Sequence, residues 1–236
     1  MMFKTKKLLA IICSPRLFYY LLRHGVAATI EHKHVLKKPW KTIVDVGANR
    51  GQFTLAASEY TSAQIFSFEP LPGPASTFQK LFSSYNSIEL YQMAIGSDQG
   101  SVDIHVSNRD DSSSLLKIGD LQEKMYPGTE EVRKHEIHDA PLDTILSSGE
   151  ITRPALLKID VQGYELEVLR GARQLLTQFD SIYCECSFIE LYEGQALVSD
   201  ILKTLNDHNF SLNGIYNVSY SNSGSCIQAD FLFKKE

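Results

Sequence analysis

With 236 residues, 43% hydrophobic and 22% charged, the chain can bury one sizeable core, so a single globular domain is the economical reading. A formal net charge of −5, with lysines and arginines scattered apart from an N-terminal group, excludes a broad basic face for nucleic acid. Cys13, Cys184, Cys186 and Cys226 form neither a CxxC pair nor a common zinc spacing, so no metal is expected and reduced thiols in a cytoplasmic protein are.

At the N-terminus, Lys4 to Lys7 before the apolar run Leu8 to Cys13 imitate a signal peptide. Pro15-Arg16 ends that run short of the ~7–15 residues of a secretory core and far short of the ~20 that span a bilayer. Residues 3–36 read instead as one or two amphipathic helices, with Leu17, Phe18, Tyr20, Leu21 and Leu22 crowding one side. The expected division is a helical extension over 1–38 and a domain over 39–236. Three roles stay open for the extension: a cap on the domain, a homodimer contact, or a peripheral contact with an anionic membrane.

The run Thr42-Ile43-Val44-Asp45-Val46 reads as a buried strand, Gly47 to Gly51 as a tight turn, and Gln52 to Tyr60 as the following helix. A mononucleotide loop would need GxxxxGK[ST], which Gln52 breaks, and a dinucleotide loop would need glycine where Asn49 stands. Asp45 at the strand end disfavours phosphate and suits a cofactor bearing an ammonium and a sulfonium, as S-adenosyl-L-methionine does. The next strand, Gln64 to Phe68, ends at Glu69-Pro70, close to the ~20 residues that one βαβ step takes, so Glu69 is placed to hold a ribose diol. Pro70 stops that strand sharply because it has no N–H to donate.

Residues 75–84 read as a second helix, 88–95 as a third strand and 101–107 as an extra strand, followed by a polar loop over 108–114. Residues 116–140 are charged and read as an acceptor-side insertion, in which His135 and His138 are candidate bases but more simply solvated. Ala155 to Ile159 forms another strand, and Asp160 at its end faces the crevice that Asp45 faces. Lys158, two residues earlier, shares that face and is expected to pair with Asp160 or Glu185, the latter at the end of a strand over 182–184. A helix follows from Glu165, then a helix over 195–207 and strands near 210–216 and 228–233.

In order along the chain, Asp45 to Phe53, Phe68-Glu69-Pro70, Ser112-Ser113-Ser114-Leu115, Leu142-Asp143-Thr144-Ile145-Leu146 and Leu157 to Glu165 together resemble FkbM-type methyltransferases over residues 26–234. That resemblance implies an α/β class I methyltransferase with a doubly wound, Rossmann-like, mostly parallel seven-stranded sheet. It also implies S-adenosyl-L-methionine as cofactor and O-methylation of a sugar, glycolipid or secondary metabolite. Asp45, Gly47, Ala48, Asn49, Gly51, Phe53, Glu69, Pro70, Ala94 and Ile95 are then the cofactor contacts. Asp160 and Glu185 are the catalytic candidates, and Ser113, Ser114, Lys158 and Gln162 face a small-molecule or glycan acceptor. The family commonly has Glu where this chain has Gln162. Two other readings use the same scaffold: an NAD-type or nucleotide-sugar oxidoreductase, and a noncatalytic cofactor-binding module.

Overall fold

The structure, a computed structural model, describes residues 11–236, so the lysine-rich start of the amphipathic segment lies outside the described residues. In chain order the strands are β1 (Thr42–Val46), β2 (Gln64–Phe68), β3 (Ile88–Tyr91), β4 (Ala94–Ile95), β5 (Gly100–Ser107), β6 (Glu131–Ala140), β7 (Ala155–Ile159), β8 (Ser181–Ser187), β9 (Phe210–Tyr220) and β10 (Cys226–Lys235). Seven of them form one sheet in the order β3-β2-β1-β7-β8-β10-β9. The first five of that order run parallel, and β10 enters antiparallel between β8 and β9. Strand order reverses between β1 and β7, which puts the crevice of this fold at the carboxyl ends of those two strands.

The helices are α1 (Pro15–His24), α2 (Lys33–Leu36), α3 (Gln52–Tyr60), α4 (Pro72–Phe82), α5 (Asp120–Met125), α6 (Leu142–Ile145), α7 (Glu165–Gly171) and α8 (Val198–Asp207). Because side chains alternate along a strand, each strand feeds two cores. Val44, Val46, Phe66, Phe68, Leu157 and Ile159 pack with α6, α7 and α8 on one face. Ile43, Ile65, Leu156 and Tyr183 pack on the other face with Phe53, Leu55, Phe78 and Phe82 and with Leu17, Val35 and Leu36 of the N-terminal segment. That second face also carries a row of buried polar residues in register: Ser67 beside Asp45, Asp45 beside Lys158, and Lys158 beside Tyr183.

The described part of the extension is bound to the domain. Ser14 caps α1, Gly25 ends it at φ 68, and Arg16 reaches Ser58 Oγ at 2.9 Å and Tyr85 Oη at 2.7 Å. Ile12, Tyr19 and Leu22 remain exposed on its outer side. No described helix is long and apolar enough to cross a membrane.

Three expectations change. The strand expected over 88–95 breaks after Tyr91, because β3 is the sheet edge and Ala94-Ile95 gains more by leaving it to pair with Asp139-Ala140 of β6, where both are buried. Residues 116–140 are not a loop insertion: α5 and β6 lie within them, and β6 pairs antiparallel with β5 to make a three-stranded second sheet whose Ile104, Val106 and Ile137 pack on Leu71 and Ala94. The amphipathic helix after Glu165 stops at Gly171, where a Cβ would stand 1.8 Å from the carbonyl oxygen of Gly96, and resumes only as a short 3₁₀ turn over Leu175–Gln178.

Candidate active site

The glycine turn is forced by closeness. A Cβ on Gly47, which sits at φ +79, would lie 1.8 Å from the backbone oxygen of Asp160, so β1 and β7 can end side by side only with glycine there. Gly51, at φ +89, instead makes room for Phe78 and Phe82 of α4 and does not line the crevice. The turn leaves few backbone donors for a ligand. Gly47 N and Ala48 N both donate to Phe68 O at 3.0 and 2.9 Å, Asn49 N donates to Glu69 Oε2 at 2.9 Å, and Arg50 N to Asn49 Oδ1 at 2.8 Å. The open row of N–H groups by which a phosphate is recognised is therefore absent from this turn.

Glu69 is the acid of this half. Its other oxygen accepts from Leu71 N at 2.8 Å, and burial pushes its carboxyl up to about 7 against the pull of those two backbone donors. Each carboxylate oxygen keeps a lone pair for a hydroxyl of a ribose. Beside it, Leu71, Met93, Ala94, Ile104 and Leu115 make an apolar slot of the kind a planar base fills.

All of this opens into one cavity of about 350 Å³. Of the residues expected from sequence, Gly47, Ala48, Asn49, Phe53, Glu69, Pro70, Ala94, Ile95, Ser113, Ser114, Lys158, Asp160 and Gln162 line it, whereas Asp45, Gly51 and Glu185 do not. Asp45 is fully buried beneath the turn, accepting from Thr54 Oγ1 at 2.8 Å and pairing with Lys158 Nζ at 2.9 Å. Its charge is thus matched inside the fold and is not presented to a ligand. Lys158 reaches one of its two expected partners, Asp160 at 3.8 Å, but not Glu185, and its closer bonds are to Asp45 and to Gly47 O, to which its Nζ donates at 2.8 Å. Burial works to discharge this ammonium, but Asp45 and Asp160 outweigh it and hold its pKa above the ordinary value. Lys158 therefore pins the glycine turn to the end of β7.

Glu185 lies within β8 and not at its end. Gln162 Nε2 donates to Asp160 Oδ1 and to Glu185 Oε2, each at 2.9 Å, and Gln228 Nε2 holds the other Glu185 oxygen at 2.7 Å. Tyr192 Oη meets Gln162 Oε1 at 2.9 Å and Ser112 O at 3.1 Å. This explains the departure at position 162: two carboxylates converge on a side chain that must donate, and glutamine can donate to both while a glutamate would add a third negative charge. Burial, with Asp160 next in importance, drives the Glu185 carboxyl well above the usual range. Glu165 is also interior, accepting from Val161 N and Gly163 N, and burial pushes it up to about 7.

The opposite wall was not read from the sequence. Thr29 and His32 come from the N-terminal extension, Gln122 and Tyr126 from α5 and the turn after it, and Gln228 from β10. No short motif marks them, since they meet only through tertiary packing; the polar loop at 108–114 was the one legible signal, and Arg109 to Ser114 do line the cavity. Arg50 closes over this loop, with Asp110 Oδ2 2.6 Å from its NH2.

A seven-stranded sheet with one antiparallel member next to its edge, and a glycine turn with an acidic strand end at its switch point, define a class I methyltransferase. The chain belongs to the FkbM methyltransferase family: residues 45–212 match the Methyltransferase FkbM domain. It is 31% identical over 72% of its length to the 2-O-methyltransferase NoeI of Sinorhizobium fredii, covering 73% of that protein. It is 33% identical to Methyltransferase 1 of Beauveria bassiana over 55% of its length and 57% of that protein, and 26% identical to the hexuronic acid methyltransferase AglP of Haloferax volcanii over 60% of its length and 54% of that protein. The chain is accordingly an S-adenosyl-L-methionine-dependent O-methyltransferase.

Proposed function

We propose that the enzyme methylates a hydroxyl of a neutral sugar, free or within a glycan, in the cytoplasm. Glu69, with Gly47, Ala48, Asn49 and Pro70 beside it and Ala94 and Ile95 in the slot, holds the donor, whose bound sulfonium supplies an electrophilic methyl group. The observation that supports the acceptor reading is the polar lining: Gln52, Gln122, Gln228 and Tyr126 bring amides and a phenol to a cavity also lined by Phe53, and although Gln228 Nε2 is spent on Glu185, Gln122 Oε1 is buried with no hydrogen-bond partner. The names of NoeI and AglP, a 2-O-methyltransferase and a hexuronic acid methyltransferase, support the same acceptor class. A neutral sugar is favoured over a uronic acid because the arginine and the lysine that line the cavity are both committed, Arg109 to Asp111 and Lys158 to Asp45, which leaves neither free for a substrate carboxylate.

In this reading Asp160 stands beside the reacting groups and Glu185 acts through Gln162, fixing the amide that fixes Asp160. Ser113 and Ser114 anchor the end of the loop, Ser113 Oγ accepting from Ser107 N at 3.1 Å and Ser114 Oγ donating to Gln162 O at 2.7 Å. The described part of the extension, residues 11–38, is assigned to the catalytic unit as its cap, on the strength of the Arg16 bonds to Ser58 and Tyr85 and of Thr29 and His32 in the cavity lining. The test is turnover on a panel of methyl glycosides, neutral and uronic, read as S-adenosylhomocysteine release. Neutral hexosides should exceed uronides by about tenfold or more; activity confined to uronides, or to non-sugar phenols, overturns the proposal.

A further inference from the structure

His32 lies outside the segment that matches the family and yet forms part of the cavity wall. Its Nδ1 is 3.0 Å from Tyr183 Oη, and Tyr183 in turn donates to Asp230 Oδ2 at 3.0 Å. Asn217 Nδ2 donates to the same Asp230 oxygen at 2.7 Å, which fixes that group as an acceptor. A phenol has one proton. With it committed to Asp230, the Tyr183 oxygen accepts from His32 at 3.0 Å; Asp230 Oδ2, 3.6 Å from Nδ1, also favours a proton there, and the one competing donor, the Asn217 amide, is farther off at 3.4 Å, so the imidazole proton is assigned to Nδ1 and Nε2 keeps its lone pair. The ring is wedged edge-on against Phe53 at 5.4 Å and Tyr183 at 5.5 Å between centroids, which holds its plane. Three residues earlier, Thr29 also lines the cavity, and its Oγ1 is buried with no hydrogen-bond partner.

We infer that His32 is a catalytic residue, the general base that takes the acceptor's proton on Nε2, and that Tyr183 and Asp230 are positioning residues that set its tautomer. The inference rests on the O-methyl reading above. The acceptor O–H proton passes to Nε2 as the oxygen forms its bond to the methyl carbon. The carbon–sulfur bond breaks with its electron pair staying on sulfur, and the imidazolium gives its proton to solvent once product has left. The surroundings suit both halves of that cycle. Burial lowers the His32 pKa and keeps the resting ring neutral, while Asp230, Glu31 and Asp160 face it with charge that favours the imidazolium once formed, opposed by Lys158. Asp160 is the weaker candidate for the base, since its oxygens are already engaged by the Gln162 amide and lie near Lys158.

The test uses the full chain. Nitrogen-15 spectroscopy of the imidazoles, with His32→Gln for assignment, should show His32 protonated on Nδ1 when neutral, and an Nε2–H tautomer overturns the assignment whatever the activity. With the best glycoside of the panel, H32Q should lose kcat by about 100-fold or more and flatten the rise of rate with pH, while S-adenosylhomocysteine binds within about twofold of wild type. A kcat within threefold of wild type overturns it. Tyr183→Phe should cost about tenfold in kcat and mix the tautomers. If no glycoside turns over, the sugar reading fails on its own, and the tautomer still decides for or against His32; if S-adenosylhomocysteine fails to bind wild-type protein, the cofactor reading fails.

Discussion

The two halves of the cavity are built by different means. The half we assign to the donor is made by the backbone: Gly47 pressed on Asp160, the turn amides spent on Phe68 O and Glu69, and an apolar slot beside Glu69. The half we assign to the acceptor is made by side chains delivered from five separate places in the chain, the N-terminal cap, α3, the 108–114 loop, α5 with the turn after it, and β10. A backbone device tolerates almost no substitution but can be copied unchanged, whereas an assembly of distant side chains can be exchanged one at a time.

If that contrast is right, the largest effect comes from the smallest change. Gly47→Ala places a methyl group against Asp160 O and into a backbone conformation that alanine resists, so it should lower the thermal midpoint clearly and abolish calorimetrically detectable S-adenosylhomocysteine binding. Glu69→Gln keeps the fold's shape but removes the charged acceptor, and cofactor affinity should fall by about 10–100-fold with the acceptor KM within about twofold. An equal rise in both constants would erase the division between halves.

Glu165, which ties the Val161 and Gly163 amides between the halves, sharpens the comparison through pH. Its carboxyl binds a proton more tightly folded, at about 7, than unfolded, at the ordinary 4.5, so its contribution is full below 4.5 and is lost as pH rises to about 7. Glu165→Gln should flatten that decline by roughly 3 kcal/mol at most, measured by denaturant unfolding across the same window. Glu69 slopes the same way, so some decline persists in the variant. The mildest effect belongs to the acceptor wall: Tyr126→Phe should raise the acceptor KM by roughly 3–10-fold and leave cofactor affinity alone.

The same contrast decides what could be read from the sequence. The glycine turn, the acidic strand end one βαβ step later and Asp160 were legible because local chain geometry makes them, and the seven-stranded sheet followed from strand and helix periodicity together with the family motifs. Asp45 was legible as a strand-end acid but was misplaced as a cofactor contact facing the crevice: its burial against Lys158 depends on β7 lying in register beside β1, which strand spacing alone does not state. Residues 116–140 read as a loop because β6 exposes most of its charged positions, and only pairing with β5 makes it a strand. Thr29, His32, Gln122 and Gln228 carry no pattern at all, since their meeting is a product of packing.

Tyr192 has one hydroxyl hydrogen and two oxygens in reach, Ser112 O in the loop over the cavity and Gln162 Oε1 beneath it. Whichever oxygen receives the hydrogen, the other is tied only weakly. Outside, the loop is fastened by Arg50 and Asp110, a partly exposed couple worth little in water and less in salt. The loop is thus hinged at Ser113 and Ser114, which bond to β5 and to Gln162 O, while its Arg109–Ser112 stretch is held by a shared hydrogen and a solvent-screened ion pair, the part that an entering acceptor displaces at least cost.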